Sequence, residues 1–554
     1  MYDTILLCLS INGYYKYCYL IAFVYSRTSF IFFFFFFISL QGMRMTLGDG
    51  FGGGGGGGGG AYFDPDFDSL IERIQSPRVC IDNETCHDCT LVKVDSANRP
   101  GILLEMVQVL TDLDLVISKS YISSDGGWLM DVFHVTDHQG KKLTDQSLIL
   151  YIQQSLVVGR KESAREVRTC LGRLVGPGHL AAEHTVLEFT AADRPGLLSE
   201  VSAVLVELDC HVLSTQAWTH NSRAACIMTL VDTTSSRPIV SRERLGYVEE
   251  QVGSVVGAHR GPGEKMHVSL SGPTPGRVHS ERRLHQLMLE DGDYEESPLP
   301  LPVEGDQFAK VNIEERKKES MGFGSGAARM VTQVSVDSWK ERGYSVVNVR
   351  SRDRPKLLFD TVCALTDMQY AVFHAAVSSH GPVALQEYYI RRVDGCTMDA
   401  EVERRRVTRC LVAAIERRVS HGMRLDVCMR DRVGLIAEIT RAIRENGLSL
   451  ARVECRLQRQ TMVGSFYVTD ASGGGVVDER RVEALREQIG AGVDLEVKGL
   501  SPMQSRRIST NNNLASLNHG DGSSASSEEK PRLSLGSLLW YHIERLSNFG
   551  SIRS

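Results

Sequence analysis

The chain has 554 residues, 42% of them hydrophobic and 23% charged, which fits a soluble globular protein of roughly three to five domains and argues against a disordered or collagen-like chain. A net charge of -6 argues against a nucleic-acid partner, because such binders carry a clustered basic surface. Thirteen cysteines, among them Cys210, Cys226, Cys363 and Cys428, stand singly in apolar stretches, as reduced thiols of a cytoplasmic protein do; the nucleus is the alternative compartment, and a secreted disulfide framework is not expected.

The run "SFIFFFFFFISL" at 29–40 is apolar enough for a signal-peptide core or part of a membrane span. A phenylalanine homopolymer behind a tyrosine-rich, weakly patterned stretch reads instead as translated non-coding sequence ahead of a start at Met43 or Met45, so no membrane partner is expected. Gly52 to Gly60 are a flexible low-complexity run, and the leader through residue 79 is expected to be disordered. "CHDC" at 86–89 could supply Cys86, His87 and Cys89, with Cys80, to a zinc ion. Only one C-x-x-C is present, without a second pair at finger-like spacing, so ordinary thiols and no metal are expected.

One octapeptide then recurs four times: "NRPGILLE" from Asn98, "DRPGLLSE" from Asp193, "DRPKLLFD" from Asp353 and "DRVGLIAE" from Asp431. Each copy leads into apolar residues at helical spacing, such as Leu197, Leu198, Val201, Val204, Leu205 and Leu208 in the second. Each follows a strand-like run ("TLVKVD", "TVLEFT", "SVVNVR", "RLDVCM"). Two further strands come after each helix and close on Asp137, Asp232, Asp394 and Asp470, which lie 39, 39, 41 and 39 residues beyond the start of their turns. A second helix follows, as in "ERLGYVEEQVGSVV" (243–256) and "DERRVEALREQI" (478–489), with a final strand expected after it.

That order is the ferredoxin-like βαββαβ unit, an α+β fold whose helices cover one sheet face and leave the other for a second sheet or a partner. Modules are expected at 85–165, 183–258, 343–420 and 423–499, as two pairs separated by a charged Gly/Pro linker at 259–341, with a disordered tail at 500–554. Inside the linker, "SERRLHQLMLE" (280–290) puts Leu284, Leu287 and Met288 on one helical face, as a short helix packed on a module would. Three acids beside it, Glu290, Asp291 and Asp293, weaken any attraction to phosphate. In the tail, "SLGSLLWYHIERL" (534–546) reads as a small amphipathic docking segment.

Four such modules with D-R-P-G-like turns resemble ACT domains. The segments "KVDSANRPGILLEMVQVLTDLDLVISKSYISSDGGWLMDVFHVTD" (93–137) and "HSERRLHQLMLEDGDYE" (279–295) resemble the plant ACT-domain-repeat proteins, over roughly residues 80 to 500. The resemblance implies regulation rather than catalysis, with a free amino acid as effector where two modules meet, whether by intramolecular or homo-oligomeric pairing of the modules, and a partner protein of unknown identity. By matching positions it assigns effector binding to Asn98 and Gly101, Asp193 and Gly196, and Asp431 and Gly434. Asp193 is expected to cap its helix through the Gly196 amide, leaving first-turn amides for a ligand carboxylate. The third copy has Lys356 where the others have glycine, and is read as structural, with Asp353 a cap.

A capped turn also starts a helix tightly with nothing bound, so a scaffold without a small-molecule ligand is the competing reading. No phosphate loop or other cofactor motif is present. A third reading, a remnant of a uridylyltransferase-type nitrogen sensor, would need paired metal-binding aspartates; "FDPDFD" (63–68) and the single His87-Asp88 do not supply them. No enzyme is expected.

Overall fold

In the computed structural model the described residues are 20–26, 29–35 and 78–499, the latter without 126, 157–165, 177–183, 275–278, 296–329, 397, 399, 420–421, 473–476 and 490–495. The tail expected to be disordered, with its 534–546 segment, lies outside them. Residues 1–65 and 66–554 form separate units. In the first, β1 (Leu20–Ser26) and β2 (Ser29–Phe35) pair as an antiparallel hairpin. This corrects the expectation of disorder for those residues: an aromatic and β-branched run suits a pleated strand.

The second unit holds the four repeats. The first contains β3 (Arg78–Asp82), β4 (Thr90–Ala97), α1 (Ile102–Asp112), β5 (Val116–Asp125), β6 (Trp128–Thr136) and α2 (Gln146–Leu156). A small ladder, β7 (Val167–Arg168) with β8 (Leu174–Val175), leads to the second. That repeat runs β9 (Thr185–Ala192), α3 (Leu197–Glu207), β10 (Cys210–His220), β11 (Arg223–Asp232), α4 (Arg242–Gly257) and β12 (His267–Ser271). Helix α5 (Ser280–Asp291) stands between the halves. The third repeat is β13 (Gln333–Trp339), β14 (Tyr344–Arg352), α6 (Leu357–Asp367), β15 (Tyr370–His380), β16 (Val383–Arg392) and α7 (Glu401–Glu416). The fourth is β17 (Met423–Arg430), α8 (Leu435–Glu445), β18 (Leu448–Gln458), β19 (Thr461–Asp470), α9 (Glu479–Ile489) and β20 (Glu496–Gly499).

Two eight-stranded antiparallel sheets result, in the orders β12-β9-β11-β10-β18-β19-β17-β20 and β13-β14-β16-β15-β5-β6-β4-β3. The second repeat is therefore joined to the fourth, and the first to the third. The expectation of two pairs, one on each side of the linker, is corrected: each pair spans it. The seams are short ladders, Ser214–Trp218 of β10 against Arg452–Arg456 of β18 and Lys119–Ser123 of β5 against His374–Ser378 of β15. Each joined sheet has one shared core. Val92, Leu110 and Phe133 pack with Val347, Leu365 and Tyr388 in one, and Leu187, Leu205 and Met228 with Leu425, Ile443 and Phe466 in the other.

Repeats two and four have the βαββαβ order. In repeats one and three the outer edge is filled by β3 and β13, which precede the first strand instead of following the second helix. Either route supplies the backbone partners that the edge of β4 or β14 lacks. The closing strand β12 and the opening strand β13 both lie in the segment read as linker.

Candidate functional site: the repeated turn and the clefts between paired repeats

The octapeptide builds a β-turn. In the second copy the Leu197 amide donates to the Arg194 carbonyl at 3.2 Å across Pro195 and Gly196, and Gly196 has φ 87° and ψ -5°. Those angles define the third residue of a type II turn, which favours proline before it and glycine at it. Gly101 (φ 83°) and Gly434 (φ 79°) repeat the geometry, and in the third copy Lys356 adopts it with φ 65°. Helices α1, α3, α6 and α8 begin one residue later, with no side-chain cap hydrogen bond. The capping expected of Asp193 and Asp353 is thereby corrected. These residues anchor the turn from outside, their amides donating to Ser222 and Pro382 at the tips of the neighbouring hairpins, as Asn98 and Asp431 donate to Gly127 and Gln460, all at 2.8 to 2.9 Å.

The arginine has a partner inside the octapeptide. Arg99 pairs with Glu105, Arg194 with Glu200, Arg354 with Asp360 and Arg432 with Glu438, so the first residue of the turn and the acid ending the motif clamp it. Arg194 and Arg354 also donate to the carbonyls of Val255 and Ile415, near the C-termini of α4 and α7, where a cation is favoured. The acid at the eighth position of all four copies carried this signal.

Two clefts lie where paired repeats meet. One, of about 510 Å³ including open solvent, is lined by Asp193, Arg194, Gly196 and Leu198 of the second repeat, by Arg444 from the end of α8 and by Leu448 and Leu450 to Val453 of the fourth. The fourth-repeat residues bear no mark in the sequence, because only the seam brings them there. Asp193 is half-buried, and burial pushes its carboxyl up to about 6, against the lowering effect of the Arg194 amide. Among the described residues no cation pairs with it. Arg444 reaches Glu200 at 3.8 Å and passes over the turn, since a Cβ added to Gly196 would lie 2.6 Å from its Cδ.

The other cleft, of about 420 Å³, is formed by Asp353 to Phe359 with Thr111 and Leu115 to Ile117. There Lys356 is engaged by Glu281 of α5 at 2.5 Å. Asn98, Gly101, Asp431 and Gly434 line neither cleft. Asp431 instead meets His211 at 2.9 Å, and Val206 would lie 3.6 Å from a Cβ on Gly434. Elsewhere in the first repeat Cys86, Cys89 and His134 bring their donor atoms close together.

Helix α5 binds the two halves together. Its Leu284, Leu287 and Met288 pack with Trp218, Val186, Ala225 and Ile227, on the sheet face opposite α3 and α4. The buried His285 donates from Nε2 to Asp360 at 2.8 Å while its Nδ1 accepts from Arg417 at 3.1 Å. Arg418 contacts both Asp360 and Glu281 and lies over the Trp218 ring. Burial pushes the Asp360 and Glu281 carboxyls up, but the surrounding cations outweigh it and hold both well below the usual carboxylate range.

Two eight-stranded antiparallel sheets, each made by joining two ferredoxin-like repeats edge to edge with a cleft at the seam, define a protein of tandem ACT-like domains. Residues 85–163 match the ACR family N-terminal ACT domain, and residues 423–490 match the ACT domain. Over 497 residues the chain is 46% identical to the ACT domain-containing protein ACR1 of Arabidopsis thaliana, covering 89% of this chain and 98% of that one. Over 442 residues it is 49% identical to ACR3 of the same plant, covering 80% and 91%. The chain belongs to this family of ACT domain-containing ACR proteins. Similarity to the bifunctional uridylyltransferase/uridylyl-removing enzyme of Azospirillum brasilense is 38% over 81 residues, 15% of this chain and 9% of that one.

Proposed function

We propose that the chain is a non-enzymatic amino-acid sensor and that the cleft between the second and fourth repeats is its effector site. The observation that supports this reading is the half-buried Asp193 facing a 510 Å³ cleft with no cation partner among the described residues. An α-ammonium group would supply that partner. The Leu197 and Glu200 amides are taken by Arg194 and Gly196, but those of Leu198 and Ser199 lack a carbonyl four residues back within the helix and sit at its positive end, suited to an α-carboxylate. Ala217, Ala224 and Leu448 then offer apolar surface to the ligand side chain. Because the cleft is built from two repeats, a ligand favours one arrangement of the seam by its difference in affinity for the two, and a partner protein would read that arrangement.

The effector roles assigned to Asn98 with Gly101 and to Asp431 with Gly434 rest on matched positions alone. For the fourth repeat a scaffold role draws on the His211 contact to one oxygen, Oδ2, of the Asp431 carboxylate. The test is calorimetry and thermal unfolding of the full chain against the twenty amino acids. A ligand at 100 times its Kd stabilises by about 2.7 kcal/mol. Asp193→Asn is expected to abolish the response, with Asp431→Asn leaving it unchanged; a flat screen favours the scaffold.

A further inference from the structure

The connection from β3 to β4 carries Cys86, His87, Asp88 and Cys89, and the fold selects among them. Cys89 directly precedes β4, whose Leu91 stands opposite His134 in the β4–β6 register. The neighbours Phe133 and Val135 belong to the core, so strand alternation sends His134 to the sheet's other face. There Cys89 Sγ lies 3.4 Å from His134 Nδ1 and 3.0 Å from Cys86 Sγ, and the three donor atoms fall within 4.8 Å of one another. His87 and Asp88 pair with each other in solvent. Cys80 is exposed on β3 opposite Lys93. The set is thus neither the linear one nor a lone C-x-x-C, and its third member comes from 45 residues downstream.

We propose that Cys86, Cys89 and His134 form a binding site for a thiophilic divalent cation, zinc above all, with a fourth position open to water. Two thiolates and an imidazole are the donors zinc takes, whereas calcium and magnesium require oxygen. Tetrahedral zinc, with bonds of about 2.0 to 2.3 Å, sets its donors roughly 3.5 to 3.8 Å apart. The sulfur–nitrogen distance of 3.4 Å is close to that, and the sulfurs need part by less than an ångström. The frame around them is firm. Asp82 accepts the amides of Glu84 and Thr85, and Asn83 bridges Thr90 and Leu143. A bound ion would fasten the β3–β4 connection to β6, independently of the cleft between the second and fourth repeats.

The full chain, kept reduced with a phosphine and stripped with a chelator, is titrated with cobalt(II) and then zinc(II). One equivalent of cobalt is expected, with tetrahedral d–d bands and a near-ultraviolet thiolate-to-cobalt band that zinc abolishes. Loss of a partner to a metal ligand already lowers affinity about 10- to 100-fold; Cys86→Ser and His134→Ala, which remove a ligand, are expected to lower it by at least that much. His87→Ala and Cys80→Ser are expected to bind as the unaltered chain does. Cys86 and His134 are only half-buried, so their variants report on the site even if Cys89→Ser fails to fold. The proposal is overturned by absence of the thiolate band, by its survival in both Cys86→Ser and His134→Ala, or by a Cys86–Cys89 disulfide that persists under the reductant.

Discussion

At Gly196 the backbone needs a positive φ of 87°, a region that disfavours any Cβ by about 1–2 kcal/mol. Gly196→Ala is expected to destabilise the chain by about that amount, with Arg444 displaced as well, so a bulky residue there would confuse loss of ligand with loss of fold. Asp193 offers a cleaner substitution. Its carboxyl, raised to about 6 by burial, stays protonated in the folded chain while the unfolded chain ionises near the ordinary 3.8. Stability is therefore unaffected by this group well below its unfolded pKa of 3.8, falls as pH rises from there through about 6, and above that carries the full penalty, at most roughly 3 kcal/mol. Urea unfolding of Asp193→Asn should show a gain over the unaltered chain at pH 7 that shrinks to nothing at about pH 3. Equal stability at both pH values would mean that the carboxylate already has a counter-charge.

Helix α5 shows which features of an element its own sequence carries. Leu284, Leu287 and Met288 announce an apolar face, and that face is seated on Trp218 and Ile227. The acids beside it, read only as weakening any attraction to phosphate, have partners in the fold: Asp291 holds Arg223 and Asp293 holds Arg417, 68 and 124 residues away. Charge in a linear stretch looks solvated until the fold brings a counter-charge to it. Leu287→Ala is expected to cost about 2–5 kcal/mol in denaturant unfolding. Asp360→Asn leaves the buried Arg418 and Arg354 short of a carboxylate and is expected to cost about 3–5 kcal/mol. A change below 1 kcal/mol in the second case would show that water enters the contact between α5 and α6.

For the molecule as a whole, repetition revealed the four modules, their helices and the near-constant distance from turn to closing aspartate. Those aspartates end the third strand by accepting amides just downstream, Asp137 from Gln139 and Lys141 and Asp470 from Ser472. What repetition could not reveal is which copy pairs with which, since each copy offers the same kind of strand edge; β10 is joined to β18 and β5 to β15. The crossed arrangement makes the halves interdependent. Residues 78–274 alone would leave β5 and β10 without β15 and β18, two unpaired strand edges of the kind that template association. This half is expected to elute at twice its monomer mass or more. Co-expression with residues 330–499 is expected to yield a one-to-one complex, because the second half presents the two missing edges at once. If both halves emerge as separate, folded monomers, the seams are too weak to hold the clefts, and an effector there could not couple one half of the chain to the other.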